Sequence, residues 1–583
     1  MKWSRPVHVN KMIFCCLIAC HAIGGPSSVA ATYFISPDGE NLHSGLSPES
    51  AWRTIAKVNR TAFQPGDRIL FEGGKQFQGP INLDIHDGGT PEKPILIGSY
   101  PETGKKMATI LAGSGRGIDA FNTSGLRIYR LKILGNGPDT NTQSGILLLT
   151  SNDEGASHVW IDHVEVSGFG KHGISIGAWN TNAGYRNVRI TKCSTHDNLR
   201  AGIFTWGPWG PAIYAHRDIL LSDCEAYNMK GGSGITLSSV DGGIVERCVA
   251  HNNGAEFSGA AGIWAWDSNN ILLQFNESYR NQTIGVDGDG FDFDGGVTNS
   301  VMQYNYSHDN DAAGFLLAQY AFAPQPMKNI TIRYNISEND CRKLGYGAIH
   351  VWNGEDTHRI SDIHIYQNTI YLDSPVGKKP ARPPEPLKAV LTMLGLGADS
   401  ATKRSAISVI SPTKSVSVHN NLFFTSGGEM LVSVVDEQED IQFLNNAYWS
   451  DGQPFLVDWK GVVYKSFAAW LEAANDQERI GSRILAIQAD PMLAGPGTGG
   501  TLGDPDLLRS LTGYRLKNGS PLTRRGLNLA LVFGVDPGSH GFYGTPIPLE
   551  RPPAIGANVR VDSPPQESGE VLNSEGIHEP SRL

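Results

Sequence analysis

Four aspartates crowd into eight residues of the segment Val286-Asp-Gly-Asp-Gly-Phe-Asp-Phe-Asp-Gly-Gly296. Asp292 and Asp294 flank Phe293. On an extended strand they share one face, with Cα atoms ~6.6 Å apart at ~3.3 Å rise per residue. Two carboxyls so close resist joint ionisation, so one is expected to keep its proton near neutral pH. An acid beside an ionised base is the pairing that hydrolysis of a glycosidic bond requires, and the spacing leaves room for either the retaining or the inverting separation. Asp267 supplies a further carboxyl and His350 a group able to orient a partner or a hydroxyl. The same run of oxygens also admits a calcium reading centred on Asp287 and Asp289, although the glutamate that closes an EF-hand loop is missing. A third reading has the aspartates merely capping turns between the glycines.

The elements that must position these groups emerge from a repeat. A small residue followed by alternating apolar and variable positions recurs at Gly117, Gly145, Gly173, Gly202, Gly234, Gly262, Gly290, Gly314 and Ala348, mostly about 28 residues apart. Alternation with period two is a strand signal, and strands this short must be stacked to bury anything. A second ladder runs beside the first: Cys193, Cys224 and Cys248, then Asn276, Asn305, Asn335, Asn368, Asn421 and Asn446. Equivalent amides one coil apart can hydrogen-bond along a stack. The aligned cysteines then read as small buried hydrophobes, and their spacing matches no zinc pattern.

A strand recurring on this period, with a polar ladder, predicts an all-β fold: a right-handed parallel β-helix solenoid of about 10–13 coils with loop insertions. The chain resembles the pectate-lyase-like superfamily of right-handed parallel β-helix proteins over about residues 32–557. The opening segment from Tyr33 through Gly39, Gly45 and Trp52, and the closing Tyr514-Arg-Leu-Lys-Asn-Gly-Ser-Pro521 with Ile555-Gly-Ala557, carry that likeness. The resemblance implies a secreted carbohydrate-active protein, and many activities share the fold. The chain is also similar to polygalacturonase-type hydrolases in placing aspartates on this sheet. It lacks their Gly-His-Gly and Arg-Ile-Lys signatures, so no residue roles transfer.

The alternation also assigns faces. Ile203, Ile235, Ile263, Phe291, Phe293 and Val351 point inward. Outward come Phe204 and Trp206, Thr236 and Ser238, Trp264 and Trp266, Asp292 and Asp294, Leu316 and Ala318, then His350 and Trp352. Large aromatics on an outer face need something to cover them. Trp206, Trp264, Trp266, Trp352 and Phe204 are therefore expected to bind sugars, and a covering loop or chain is the competing account. A lyase or uronate epimerase, using calcium-bound aspartates, is the alternative to a hydrolase, and a non-enzymatic glycan-binding solenoid is another. A lyase must neutralise a substrate carboxylate with a cation. The outward lanes hold no Lys or Arg, and the nearest basic residues, Arg200, Lys230, Arg280, Arg342 and Lys343, fall in turns. A neutral polysaccharide or oligosaccharide substrate, with no required cofactor, fits these lanes best.

Composition bounds the remainder. Glycine makes up 68 of 583 residues and the net charge is −10, a turn-rich chain unsuited to neutralising nucleic-acid phosphates. Lys2, Arg5 and Lys11, the apolar run Met12–Ile23 and the small residues before Ala31 read as a signal peptide over 1–31. Its removal would leave Cys193, Cys224, Cys248 and Cys341, too few for a disulfide scaffold. A secreted or periplasmic location follows, with no membrane span in the mature chain. Residues 32–560 form the expected solenoid, with the repeat clearest over 117–370 and an inserted loop at 374–405. A short helix is expected within 466–478 and a disordered tail over 561–583. No feature indicates an oligomeric state.

Overall fold

The computed structural model describes residues 30–559 apart from 105, 355–357, 375–402, 411, 436–437 and 549. The expected signal peptide, most of the inserted loop and the expected disordered tail lie outside the described residues. Among those described, no helix is long and apolar enough to cross a membrane.

Each repeat folds into three short strands separated by bends, and thirteen such coils stack into three sheets of fourteen strands each, parallel except where Val462–Tyr464 turns back on Val457–Trp459. The fold is the right-handed parallel β-helix that the repeat predicts. The groove sheet runs from Ile81–Leu83 to Val457–Trp459 and contains every strand identified by the glycine ladder. A second sheet runs from Thr32–Ile35 to Glu439–Leu444, and a third from Gln76–Gln78 to Ala447–Asp451 and Ile487–Gln488. Within the groove sheet Ile203, Ile235, Ile263, Phe291, Phe315 and Ile349 fall in register from coil to coil and are fully buried. Phe291 and Phe315 stack with centroids 5.3 Å apart.

The asparagine ladder sits at the bend between the second and third sheets. Asn276 Nδ2 donates to Asn305 Oδ1 at 3.0 Å, Asn305 to Asn335 at 3.1 Å and Asn335 to Asn368 at 3.0 Å. The run continues through Asn421 to Asn446, which donates to Glu478 Oε1 at 2.7 Å. Each amide also donates to a main-chain carbonyl, as Asn335 does to Met302. Cys193, Cys224 and Cys248 occupy the earlier rungs as buried free thiols, and Asn276 accepts from the Cys248 N–H. A second ladder, Asn253–Asn281–Asn310–Asp340, stands at the bend before the groove sheet. Its counterpart in the sequence is the recurring His-Asp-Asn198, His-Asn-Asn253 and His-Asp-Asn310 text.

Both ends of the stack are closed, which removes the exposed rungs that otherwise invite edge pairing. Buried Trp52 and the helix Ile55–Val58 cover the first coil. The helix Phe467–Ala473, shorter than its sequence pattern and capped by Ser466, places buried Trp470 against Tyr448, Phe455 and Trp459 at the last. Past Gln488 the chain leaves the coils and returns along the outside, where Leu502 and Gly503 N–H groups donate to Glu277 and Tyr334 donates to Pro537 O.

Removing a mid-ladder amide leaves buried donors and acceptors unpaired on both sides. Asn335→Ala is therefore expected to lower unfolding free energy by about 2–4 kcal/mol. Cys224→Ala, which removes only a small buried sulfur, should cost about 1 kcal/mol. Urea unfolding followed by far-ultraviolet circular dichroism compares the two, and equal losses would contradict the hydrogen-bonded role of the ladder.

Candidate functional site

The aspartate-rich strand Asp287–Asp294 pairs on one side with Ala260–Trp266 and on the other with Phe315–Gln319. Trp264 stands opposite Asp292 and Trp266 opposite Asp294; next come Leu316 and Ala318, then His350 and Trp352. The outward lanes are thus assembled as the alternation predicts. Near the start of the strand the register slips at Ala260/Ala261, where Gly288 adopts φ 93° and Asp287 φ 61°. That bulge re-aims Asp287, whose odd position would otherwise turn it toward the core.

These lanes are not open to solvent as the expectation of an exposed sheet required. Asp292 is 4% exposed, Leu316 3% and His350 2%. The cause is non-local. On the side of the strand ends, loops 207–215 and 320–327 meet over the sheet: Ala212 N–H donates to Gln325 Oε1 at 3.0 Å and Gln325 Nε2 to Tyr214 at 2.7 Å. They carry Trp209 edge-on to Trp266 (5.8 Å) and to Phe322 (5.9 Å), with Tyr320 against Phe322 (4.4 Å). The Tyr320 ring lies over Gly295, where even a methyl group would clash. On the side of the strand starts, Tyr346 stacks on His350 at 4.3 Å. Sequence reasoning missed Tyr346, Tyr320, Trp209 and Phe322, since nothing in a loop's sequence says which groove it covers.

The electrostatics follow from burial. Desolvation holds the Asp267 carboxyl at about 7, and Gly210 N–H opposes the shift. Burial alone lifts Asp287 to about 7. Asp294 is pushed well above the usual range by burial and by Asp287, against a hydrogen bond from Gly295 N–H at 3.0 Å. Asp292 is driven up by burial and then by Asp294, Asp289 and Asp287. Asp289, wholly buried, is raised by desolvation and Asp287, and accepts from Ala313 N–H at 2.7 Å. Asp292 thus has three neighbouring carboxyls acting with burial to hold its proton, whereas burial alone acts on Asp287. Asp292 Oδ1, Asp289 Oδ2, Asp267 Oδ1 and Trp264 Nε1 are buried without a hydrogen-bond partner. Unpaired buried polar atoms are costly, and four of them lie on two adjacent strands.

The predicted residues divide. Asp267, Asp287, Asp289, Asp292, Asp294, Trp264 and Trp266 come together. His350 is held apart from a proton-transfer role: burial lowers it to about 3, its Nδ1 accepts from Gly347 N–H at 3.2 Å and is hydrogen-bonded to Ser408, so it is a neutral wall against Tyr346. Phe204 has one face taken by His172 at 4.5 Å. Trp352 folds back over Gly354 and packs on the Leu316–Ala318 cluster. Trp206 lies three coils upstream. Among the described residues no three His, Cys, Asp or Glu side chains are grouped so as to hold a metal ion. Lys230 pairs with Asp139, Arg342 with Asp309 and Lys343 with Asp311, while Arg280 lies over Tyr279; none of these contacts is to the aspartate cluster.

The family described as "Right handed beta helix region" matches residues 209–370. A lacto-N-biosidase of Bifidobacterium longum subsp. longum is 24% identical over 457 residues, covering 60% of this chain. The chain spans 28% of that relative's length. Among solved structures, a GH136 lacto-N-biosidase from Eubacterium ramulus is 20% identical over 59% of this chain and 64% of its own, with a TM-score of 0.49. A pectate lyase is 12% identical over 92% of this chain and 97% of its own, with a TM-score of 0.41. The A-module of a mannuronan C-5 epimerase from Azotobacter vinelandii is 15% identical over 68% of this chain and 90% of its own, at 0.43.

Raised carboxyls make stability pH-dependent with a definite sign. With Asp267 and Asp287 at about 7 when folded and ~3.9 when unfolded, the native state binds more protons across that window, so their contribution falls as pH rises from 4 to 7. The thermal midpoint should be lower at pH 8 than at pH 5, and Asp287→Asn should narrow the gap by raising the pH 8 value by several degrees. Calorimetry at the two pH values checks this; an unchanged gap would contradict the burial of that carboxyl.

Proposed function

We propose that the protein is a secreted or periplasmic glycoside hydrolase acting on an uncharged glycan in the aspartate groove. The observation that carries this reading is the crowded set of raised carboxyls, with no ion pair to a cation among the described residues, beside two tryptophans and four unpaired buried polar atoms. Asp292, raised by burial and by three neighbouring carboxyls, keeps the proton that the leaving oxygen needs. Asp294, steadied as an anion by the Gly295 N–H, attacks the anomeric carbon or draws a proton from water. Trp264 offers its unpaired indole N–H to a sugar hydroxyl and its ring, with Trp266, to the apolar face of a pyranose. Asp267, at about 7 on the edge of the same strand pair, supplies a second acceptor for hydroxyls.

A second assignment within the same chemistry pairs Asp294 with Asp287. The direction of the coupling favours it: Asp287, at about 7, raises Asp294 when charged, and Asp294 would then be the acid. Among the described residues the groove strands offer the lyase and epimerase alternative no Lys or Arg to face a substrate carboxylate. The relative's printed name makes glycans ending in lacto-N-biose the first neutral substrates to try, and the likeness to lyases makes uronate polymers the comparison set.

Products read both by reducing ends and by the ultraviolet absorbance of an unsaturated sugar separate the classes. Hydrolysis gives reducing ends alone, in the presence of chelator. Asp294→Asn should lower kcat/KM by at least ~10³-fold in either assignment. An equal loss in Asp292→Asn supports the Asp292/Asp294 pair, whereas a near-native Asp292→Asn with an inactive Asp287→Asn transfers the role to Asp287. Ultraviolet-absorbing products abolished by chelator would overturn the hydrolase, and specific glycan affinity without any product would leave a binding solenoid.

A further inference from the structure

The two sides of the aspartates are unlike: one ends in packed apolar groups and the other leads to an exposed aromatic ring. Toward the C-terminal coils Leu316 and Ala318 are buried beneath Tyr346 and Trp352. Toward the N-terminal coils the outer lane leads from Asp294 through Trp266 and Ser238 to Trp206, and beyond it to Trp179, which is 58% exposed. Trp179 follows the strand Ile174–Ala178 directly and meets Trp206 edge-on at 6.2 Å.

Trp206 is held in a particular pose. Its indole N–H donates to Ser175 Oγ at 3.0 Å, and its six-membered ring lies over Gly177, the residue beside it one coil back. A methyl group on Gly177 would sit 2.2 Å from that ring. Glycine at this position lets the indole lie down on the sheet, with one face on the backbone and the other turned outward and bordered by Trp179. An aromatic face fixed flat beside an exposed second ring is a surface for the C–H face of a sugar. Stacking three to four coils away, ~14–19 Å at ~4.8 Å per coil, can matter only to a ligand long enough to span that distance.

We propose that the Trp179–Trp206 pair is a distal sugar-binding platform that holds the remote end of an extended glycan whose cleaved bond lies at the aspartates, so that the protein selects long neutral chains over short ones. The inference rests on the hydrolase reading and adds the substrate's length and direction: the chain runs from the carboxylates toward the N-terminal coils.

The test compares the full chain with Trp179→Ala. The substrates are a chromogenic lacto-N-bioside and glycans of four and six sugars ending in lacto-N-biose. The readout is the ratio of kcat/KM between the longest and shortest substrate, in which a change in the amount of folded protein cancels. The parent should favour the long glycan, and Trp179→Ala should shrink that preference by about tenfold, through KM rather than kcat, the size of effect one aromatic contact supplies. A preference unchanged by the substitution would overturn the platform while leaving the hydrolase standing. Binding of neutral di- and hexasaccharides of β-glucan, measured by calorimetry, needs no turnover. Affinity that rises with length and loses that rise in Trp179→Ala supports the platform even where hydrolysis fails, and equal affinity at both lengths counts against it.

Discussion

Register between coils is the constraint on which everything else in this molecule depends. A parallel solenoid has no fixed partner for a strand except the strand one turn earlier, so a slip of one residue would turn every outward group inward. The asparagine stack prevents that slip. Each amide is bonded to the amide of the next coil and to a main-chain carbonyl at the same bend, so the bend is pinned and the strand that follows starts at a fixed point. The second stack, ending in Asp340, does the same at the bend leading into the groove sheet. Asp292 faces the groove, and Phe291 and Phe293 the core, because both bends are locked.

That rigidity also lets the chain tolerate a destabilising arrangement. Five carboxyls, three buried and two half-buried, lie in or just beyond two neighbouring strands, and Lys230, Arg342 and Lys343 of the nearby turns are paired elsewhere. In a small domain such a cluster would relax by moving apart or by admitting water. Here the strand that carries it is hydrogen-bonded on both sides and its inward phenylalanines are stacked in the core. The repulsion is expressed as proton affinity instead of movement, and retained protons are what acid catalysis at a glycosidic oxygen uses.

The sequence made the scaffold readable because the scaffold is periodic. The Gly-Ile strands, the inward column and the outward order Trp264, Asp292, Leu316, His350 all follow from alternation and from a spacing that can be counted. What escaped reading came from loops. The cover formed by 207–215 and 320–327, the tilt of Tyr320 over Gly295 and the stacking of Tyr346 on His350 join residues separated by one or more coils, and no local pattern announces them. His350 shows the cost of reading a lane alone. Its position in the outward column suggested a polar partner for the aspartates, yet the ring is desolvated, tied to Ser408 and used as packing. The Asp287 bulge failed to register for a related reason: a glycine with positive φ changes parity without changing composition.

A solenoid also supplies a ruler. Because coils advance by one fixed step, any two outward residues on the same lane are separated by a whole number of strand spacings, and a linear ligand lying along the lane meets side chains at regular intervals. The lane from Asp294 toward Trp206 is interrupted at Ser238, which is small and buried, and the aromatic surface resumes only where Gly177 makes room for a flat indole. Toward the other end Ala318 and Trp352 continue the same lane and pack with Leu316 and Tyr346. The two directions are therefore chemically unlike: one ends in a wall beside the carboxyls, the other in an exposed aromatic step. A polymer has direction as well, so a groove with unlike ends fixes which way a bound chain must run, and with it which side of the reacting bond faces Asp292 and which faces Asp294.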